Sequence, residues 1–423
     1  KIYLKENGED QNYLQGAKFA AHIEIEAGDK AVESSPKGWD EAGSGTLLAG
    51  IKANYPTIMQ PLTNPGKEGS AKNEAVLAGA VDDYGMSYYF RGNVKNNYVQ
   101  FANKCWRIVR VTGDGSIKLV LHNDNVNNVA SPCALNNSGD AAYARYNGTN
   151  FTTKYNEQDN DNAYVGFMYG TAGSSKYAET HANTNKSTIL QNLETWYKNN
   201  LATYESKLAD TIWCNDKSTK LNQTVITASL NTTTNKLNKR SSTIPGLGYR
   251  KSKTLYSGRQ RVRTNYYYTN TSSEQYGTVG TGPTLICPLD NDGGKLSKFT
   301  VSDTINGNGA LDYKVGLLTV DEVLYAGSID WLGYQALNYN NSSINSYLRE
   351  NAITNWYWLI SPNDFHADYD PSGGAVVLLL TGFGFANIRS VDYPNALRPA
   401  VSLTSATTIS GGNGTSSNPF VIN

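Results

Sequence analysis

CWRIVRVTGDGSIKLVL, residues 105–121, is the stretch on which the fold turns. Gly113-Asp114-Gly115 is a turn signal, and the runs on either side alternate in polarity. Setting Val111 opposite Ser116 predicts a hairpin in which Trp106, Ile108 and Arg110 share one face with Leu121, Leu119 and Ile117. Arg107, Val109, Val111, Lys118 and Val120 take the other, mixed face. On this register Arg110 stands at the rim of the apolar face and snorkels to water. The stretch therefore reads as architecture, with Arg107 and Arg110 as rim or salt-bridge residues.

Working outward, DDYGMSYYFRGNV and NNYVQFANK before the hairpin read as strands joined by tight turns at Asp83-Tyr84-Gly85 and Gly92-Asn93. Leu47, Leu48 and Ile51 fall at helical spacing in a short helix stopped by Pro56. The clearest helix follows Ser187 or Thr188 as cap, with Ile189, Leu190, Leu193, Trp196 and Leu201 along one side. Another begins near Thr319 with Asp321 and Glu322 in its first turn, and a short one is expected over 345–350. WYWLISP, AVVLLLTGFGFANIRSV and LRPAVSL read as the last strands. Residues 123–186 and 217–283 are polar surface excursions, and 1–34 holds two alternating stretches, IYLKE and AAHIEIEAGD, before a Ser/Gly/Pro-rich linker at 34–45. The expected organisation is an N-terminal β arm and linker over 1–44, a hairpin-rich segment over 45–135 packing on the body, and a module with insertions over 136–423.

Composition narrows the function classes. Formal net charge is zero and charged residues make up only 17% of the 423, so the clustered Lys and Arg that phosphate binding requires are missing. No nucleic-acid partner is expected. No run reaches the ~18 apolar residues of a membrane helix, so no membrane segment is expected in this chain. Tyr (29) and Gly (39) are abundant while Met (3) and His (4) are scarce, a balance that suits an extracellular, β-rich, loop-rich protein. The chain opens at Lys1, which reads as a processed or trimmed terminus.

Cys105, Cys133, Cys214 and Cys287 are widely spaced with no CxxC pair, unlike a zinc or thioredoxin motif. The sequential pairing, Cys105–Cys133 and Cys214–Cys287, keeps each bridge inside one candidate unit and would contribute about 3–4 kcal/mol apiece. The other pairings, or four buried thiols, are the alternatives.

Taken together, DDYGMSYYFRGNV, NNYVQFANKCWRIVRVTGDGSIKLVL, TIWCND, LDYKVGLLTVDEVLYAG, NWYWLISP and LRPAVSL resemble a group of Firmicutes cell-surface proteins. Their C-terminal module is similar to the formylglycine-generating-enzyme-like branch of the C-type lectin fold. The resemblance covers 80–423 and implies a β-rich α+β fold, a C-type-lectin-like module, and a cell-surface location. It does not carry the chemistry of either branch onto these residues. The EPN and QPD tripeptides of calcium-dependent lectins are absent, and Cys214 interrupts the WND-like Trp213-Asn215-Asp216. The late cysteine pair of the oxidising enzymes is missing, since no cysteine follows Cys287.

Other candidate sites are sparse. Asp290 and Asp292 offer oxygens at calcium-loop spacing, but Val301 stands where a closing Glu is needed, so no metal is assigned and calcium is the sole cofactor considered. Asp364, His366, Asp368 and Asp370 gather in the polar loop PNDFHADYDPSGG, where lectin-like folds carry variable ligand-binding loops. With Arg389 they are the candidate ligand contacts, through loops 361–374 and 387–397, and binding outranks glycoside acid–base chemistry there. Arg259, Arg261 and Arg263 before Tyr266, Tyr267 and Tyr268 read as a strand presenting a protein interface. No GxSxG, HExxH or phosphate loop occurs. The expected function is non-enzymatic: a filament subunit or adhesin that self-associates or meets other surface proteins, with 1–34 adding to a neighbour's sheet edge. The alternative is a monomeric receptor for glycan or host protein.

Overall fold

Five strands build the region around the quoted stretch: β1 (Ala75–Asp82), β2 (Gly85–Gly92), β3 (Tyr98–Phe101), β4 (Lys104–Val111) and β5 (Ile117–Asn123). In this computed structural model the chain divides into two units, Lys1–Val32 and Glu33–Asn423. The described residues all lie in the second: 34–134, 143–174, 176–219, 224–231, 236–243, 253–262, 282–287, 295–330, 344–349, 355–366 and 374–423. The alternating stretches of 1–33, Asp290, Asp292, Arg263, Tyr266, Tyr267, Tyr268, Asp368 and Asp370 lie outside them.

The hairpin forms as β4–β5, and the expected pairs Trp106 with Leu121 and Ile108 with Leu119 are present. Between Ile108 and Arg110 the register shifts by one, so Arg110 faces Lys118 and Val111 faces Ile117. A bulge of this kind re-aims the residues beyond it. It overturns the expectation that Arg110 snorkels to water, because the side chain is buried. The turn is closed by Asp114, whose Oδ1 accepts from the Ser116 amide at 3.0 Å, with Gly115 at φ +85°.

β1 and β2 pair antiparallel across the tight Asp83-Tyr84 turn. β2 and β3 both run along one edge of β4, near its opposite ends, while β5 takes the other edge. The strand Ala400–Leu403 pairs with β5, and Phe420–Ile422 runs parallel to β3, giving an eight-stranded sheet. Hairpin segment and C-terminal module thus share one sheet. Every residue of β4 is buried, as befits a central strand covered on both faces. Helix α1 (Leu47–Asn54), capped by Thr46, buries Leu47, Leu48 and Ile51. A Cβ on its Gly50 would lie 2.7 Å from the Phe420 ring, so helix and final strand approach closely. Helix α2 (Thr188–Asn200) is capped by Ser187 and sets Trp196 edge-on to Trp106, 6.1 Å between centroids.

A second sheet has seven strands and is centred on β6 (Tyr357–His366), β7 (Ala375–Leu380) and β8 (Phe385–Ser390). Neighbours pair antiparallel, and Ile329–Asp330 lies parallel to β8. Lys253–Leu255 pairs with the far end of β6. Helix α3 (Val320–Tyr325) starts at a capping box in which Thr319 and Glu322 bond each other's backbone amides. One apolar cluster joins both sheets and helices α1, α2 and α3. The described chain is β-rich α+β with two disulfides, Cys105–Cys133 and Cys214–Cys287, in the sequential pairing.

Four expectations change. The 34–45 linker is docked: Trp39 is buried against the Tyr88 ring, and the Lys37 amide donates to Gly113 O at 3.0 Å. The excursion at 123–186 sends Tyr143, Tyr155, Val165 and Phe167 wholly into the core. The helix expected over 345–350 is a single 3-10 turn, Tyr347–Arg349. Arg259 and Arg261 sit on a short helix, Ser257–Val262, and turn inward rather than presenting an interface strand.

Candidate functional site: an ion-paired interior and an exposed arginine

The bulge at Val109 brings two cations side by side, which is unfavourable unless an anion meets both. Glu322, held by α3, is that anion. Its Oε1 accepts from Arg110 Nε at 3.1 Å and from Lys118 Nζ at 2.7 Å, while Oε2 accepts from the Thr319 amide at 3.0 Å. Arg110 also donates to Asp82, whose carboxylate accepts from the Gly113 amide. Burial would push the Glu322 carboxyl up, but Lys118, Arg110 and the Thr319 amide hold it down at about 2. Burial lowers the Lys118 ammonium, with Glu322 opposing it. The Lys118 Nζ also lies 4.5 Å from the Trp213 ring centroid.

A second cluster abuts the first. Arg261 donates to Asp216 at 2.7 Å and through two nitrogens to Asp321 at 2.8 and 3.1 Å. Asp321 also accepts the Thr284 amide, and Asp83 accepts the Cys287 amide at 2.8 Å. The segment carrying Cys287 is thereby pinned to α3 and to the β1–β2 turn. Between the clusters, beside Cys214 and Cys287, is a cleft of about 20 Å3, room for one or two waters. Its charges satisfy one another: this is an ionic frame tying the first sheet to α3 and to the short helix Ser257–Val262.

The expected ligand contacts separate. Asp364 lies in β6, not in a loop, because it pairs with Val376 of β7 on one side and with Leu255 on the other. It is buried and paired with Arg259, so it does not meet a ligand at the surface. His366 ends β6 opposite Lys253, and its side chain is outside the described part. A different histidine is enclosed: His181 sits between Tyr177 and Tyr256, its Nε2 3.1 Å from the Tyr256 hydroxyl. Burial, reinforced by Lys217, pushes its imidazole well below the usual range. Among the described residues no group of three or more His, Cys, Asp or Glu is placed to hold a metal. Among them too, no helix is long and apolar enough to cross a membrane.

Arg389 is the exception to the inward pattern. It stands exposed on β8, opposite Val377. Its guanidinium carbon is 5.4 Å from the Trp356 ring centroid and 5.0 Å from that of Tyr393. Arg91, Arg107, Arg110, Arg145, Arg259, Arg261, Arg349 and Arg398 each donate to a carboxylate, amide or carbonyl. Among the described arginine side chains only Arg389 is held by rings alone. Tyr393 is half exposed and Trp356 half-buried. The sequence marked Arg389 but not its two rings, which arrive from the turn after β8 and from the residue before β6. Alternation within a strand gives no sign of such partners.

No protein-family description, curated protein or solved structure matches the chain.

Proposed function

We propose that this is a non-enzymatic extracellular surface protein, a filament subunit or adhesin that works through protein–protein contacts. In this reading the module over 136–423 is C-type-lectin-like, carrying binding loops on a rigid β framework. The two disulfides carry the proposal, since bridges such as Cys105–Cys133 and Cys214–Cys287 persist where the compartment is oxidising. The Asn- and Thr-rich loops support it, because such residues supply adaptable hydrogen bonding to a partner. Residues 1–34 would supply a strand to the sheet edge of a second copy.

Negative-stain electron microscopy and sedimentation of the full chain, without added ligand, test this reading. Ordered fibres or sheets are expected, and deletion of 1–34 should abolish them. Dispersed monomers at high concentration would overturn the filament reading. Assembly that survives the deletion would overturn the role of 1–34. A second reading, a monomeric receptor binding through 387–397, is favoured by one observation, the uncommitted Arg389 between Trp356 and Tyr393.

A further inference from the structure

We infer that Arg389, Trp356 and Tyr393 form a shallow binding site for a sugar that carries a carboxylate. The inference deepens the reading of the chain as an extracellular binding protein and rests on it. It does not depend on filament formation.

The rings of Trp356 and Tyr393 are what hold the guanidinium. Ring stacking engages the face of the guanidinium plane and leaves its edge free. The other described arginine side chains spend that edge inside the protein, whereas the five N–H donors of Arg389 have no hydrogen-bond partner among the described residues. Asp392, three residues on, is the near carboxylate in sequence, but its Oδ1 accepts from Ser390 Oγ at 2.6 Å. The same hydroxyl lies 3.2 Å from Asp159 Oδ2, so both acids face Ser390. An exposed guanidinium whose N–H donors are not taken up within the protein matches a carboxylate in two parallel N–H···O bonds.

The flanking groups favour a sugar over an acidic peptide. Tyr393, half exposed, offers a flat apolar face beside the cation, the surface a pyranose ring covers with its C–H bonds. Asn387 lies two residues before Arg389 on the same side of β8. Its Oδ1 accepts from the Ile388 amide at 2.9 Å, which leaves the side-chain NH2 for a ring hydroxyl. An acidic peptide would bring a carboxylate but no flat C–H face to set against the Tyr393 ring. Arg389, Tyr393 and Asn387 together recognise charge, ring face and hydroxyl, the three features of an acidic pyranose.

The test titrates the full chain with 3′-sialyllactose, lactose and a tetra-glutamate peptide, following tryptophan fluorescence and saturation-transfer NMR. Binding of 3′-sialyllactose about tenfold tighter than lactose is expected, the worth of one charge-assisted contact. Arg389→Ala should reduce it to the lactose level, and Arg389→Lys should recover only part, since an ammonium lacks the fork. Tyr393→Ala should weaken both sugars alike. Equal binding of the two sugars, tighter binding of tetra-glutamate, or indifference to Arg389→Ala would overturn the proposal. Sedimentation without sugar separates the two readings. Sugar binding by a chain that stays monomeric sustains this site and defeats the filament. Assembly that Arg389→Ala dissolves makes the patch a joint between copies, and the sugar proposal falls.

Discussion

Arg110 and Arg389 lie on strands of similar length, and their surroundings make them opposites. At Arg110 a one-residue register shift turns the side chain beside Lys118, and two carboxylates from distant segments, Asp82 and Glu322, are spent to keep both cations buried. At Arg389 no carboxylate converges and two rings hold the guanidinium at the surface. An interior cation with its anions removed is intolerable, so the first region constrains stability. An exposed cation held by rings costs the fold almost nothing to lose, so it is free to serve recognition. If the contrast holds, substitutions in the ionic frame should move stability and leave binding alone, with the reverse at Arg389.

The largest effect should come from the bridge beside the ionic cleft. Cys214–Cys287 spans 73 residues in sequence and Cys105–Cys133 spans 28. Loop-closure entropy then makes the paired change Cys214→Ala/Cys287→Ala cost about 4.5 kcal/mol, against about 3.5 for Cys105→Ala/Cys133→Ala. Urea denaturation of the two double variants checks the order. Equal losses would mean that the ionic pinning of Cys287 by Asp83 and Asp321, rather than the bridge, sets the stability of that segment.

Next comes the anion. Glu322→Ala strands Lys118 and Arg110 without their shared acceptor and should cost about 3–5 kcal/mol. Replacing all three by apolar residues, as Arg110→Met/Lys118→Met/Glu322→Leu, should cost less than Glu322→Ala alone. A triple variant weaker than the single one would show that the ion network contributes net stability, and the contrast with Arg389 would be sharper still.

Acid should probe the same frame reversibly. The folded-state pKa of Glu322, about 2, lies below the unfolded value of 4.5. Its stabilisation is therefore complete above pH 4.5 and is lost as pH falls toward 2, about 3 kcal/mol in all. His181 acts higher on the scale: its folded pKa is depressed from 6.5, so the unfolded chain binds the extra proton and stability declines as pH falls below 6.5. Denaturation midpoints at pH 7.5, 5.5 and 3.5 should fall in two stages. Glu322→Gln should flatten the lower stage, and His181→Gln the upper one.

Much of the frame was legible in the sequence, and the exceptions share a cause. The β4–β5 hairpin, the tight turn after Asp82 and the caps Ser187 and Thr319 follow from local pattern, because alternation and capping chemistry act within a few residues. The cysteine spacing left the pairing open, and the structure takes the sequential alternative. The bulge at Val109 leaves no mark on that alternation, and its anion Glu322 lies more than 200 residues away. Asp364 was placed in a loop because its pairings, with Val376 of β7 across a bulged register and with the distant Leu255, leave no clean alternation to read. The docked 34–45 segment was read from its Ser, Gly and Pro content, though Trp39 was the residue that mattered. Of the expected ligand contacts Arg389 stands exposed, while Asp364 is committed to Arg259.

The smallest stability effect belongs to Arg389 and makes the most direct test of the comparison. Arg389→Ala removes an exposed side chain that donates to no buried acceptor, so the unfolding free energy should change by less than about 0.5 kcal/mol. The same truncation at Arg107 is a fair control, since that guanidinium also stacks on a ring, 3.8 Å from the Tyr98 centroid. Arg107 is fully buried, however, and donates to Asn97 Oδ1 and Val94 O, both at 2.7 Å. Arg107→Ala strands those acceptors and opens a cavity, so a loss of about 2–4 kcal/mol is expected. Stacking is common to both residues, and burial with hydrogen bonding is not. A large loss at Arg389 would mean that the rings themselves depend on the cation for their placement, and the exposed patch would then be part of the frame rather than a surface free to bind.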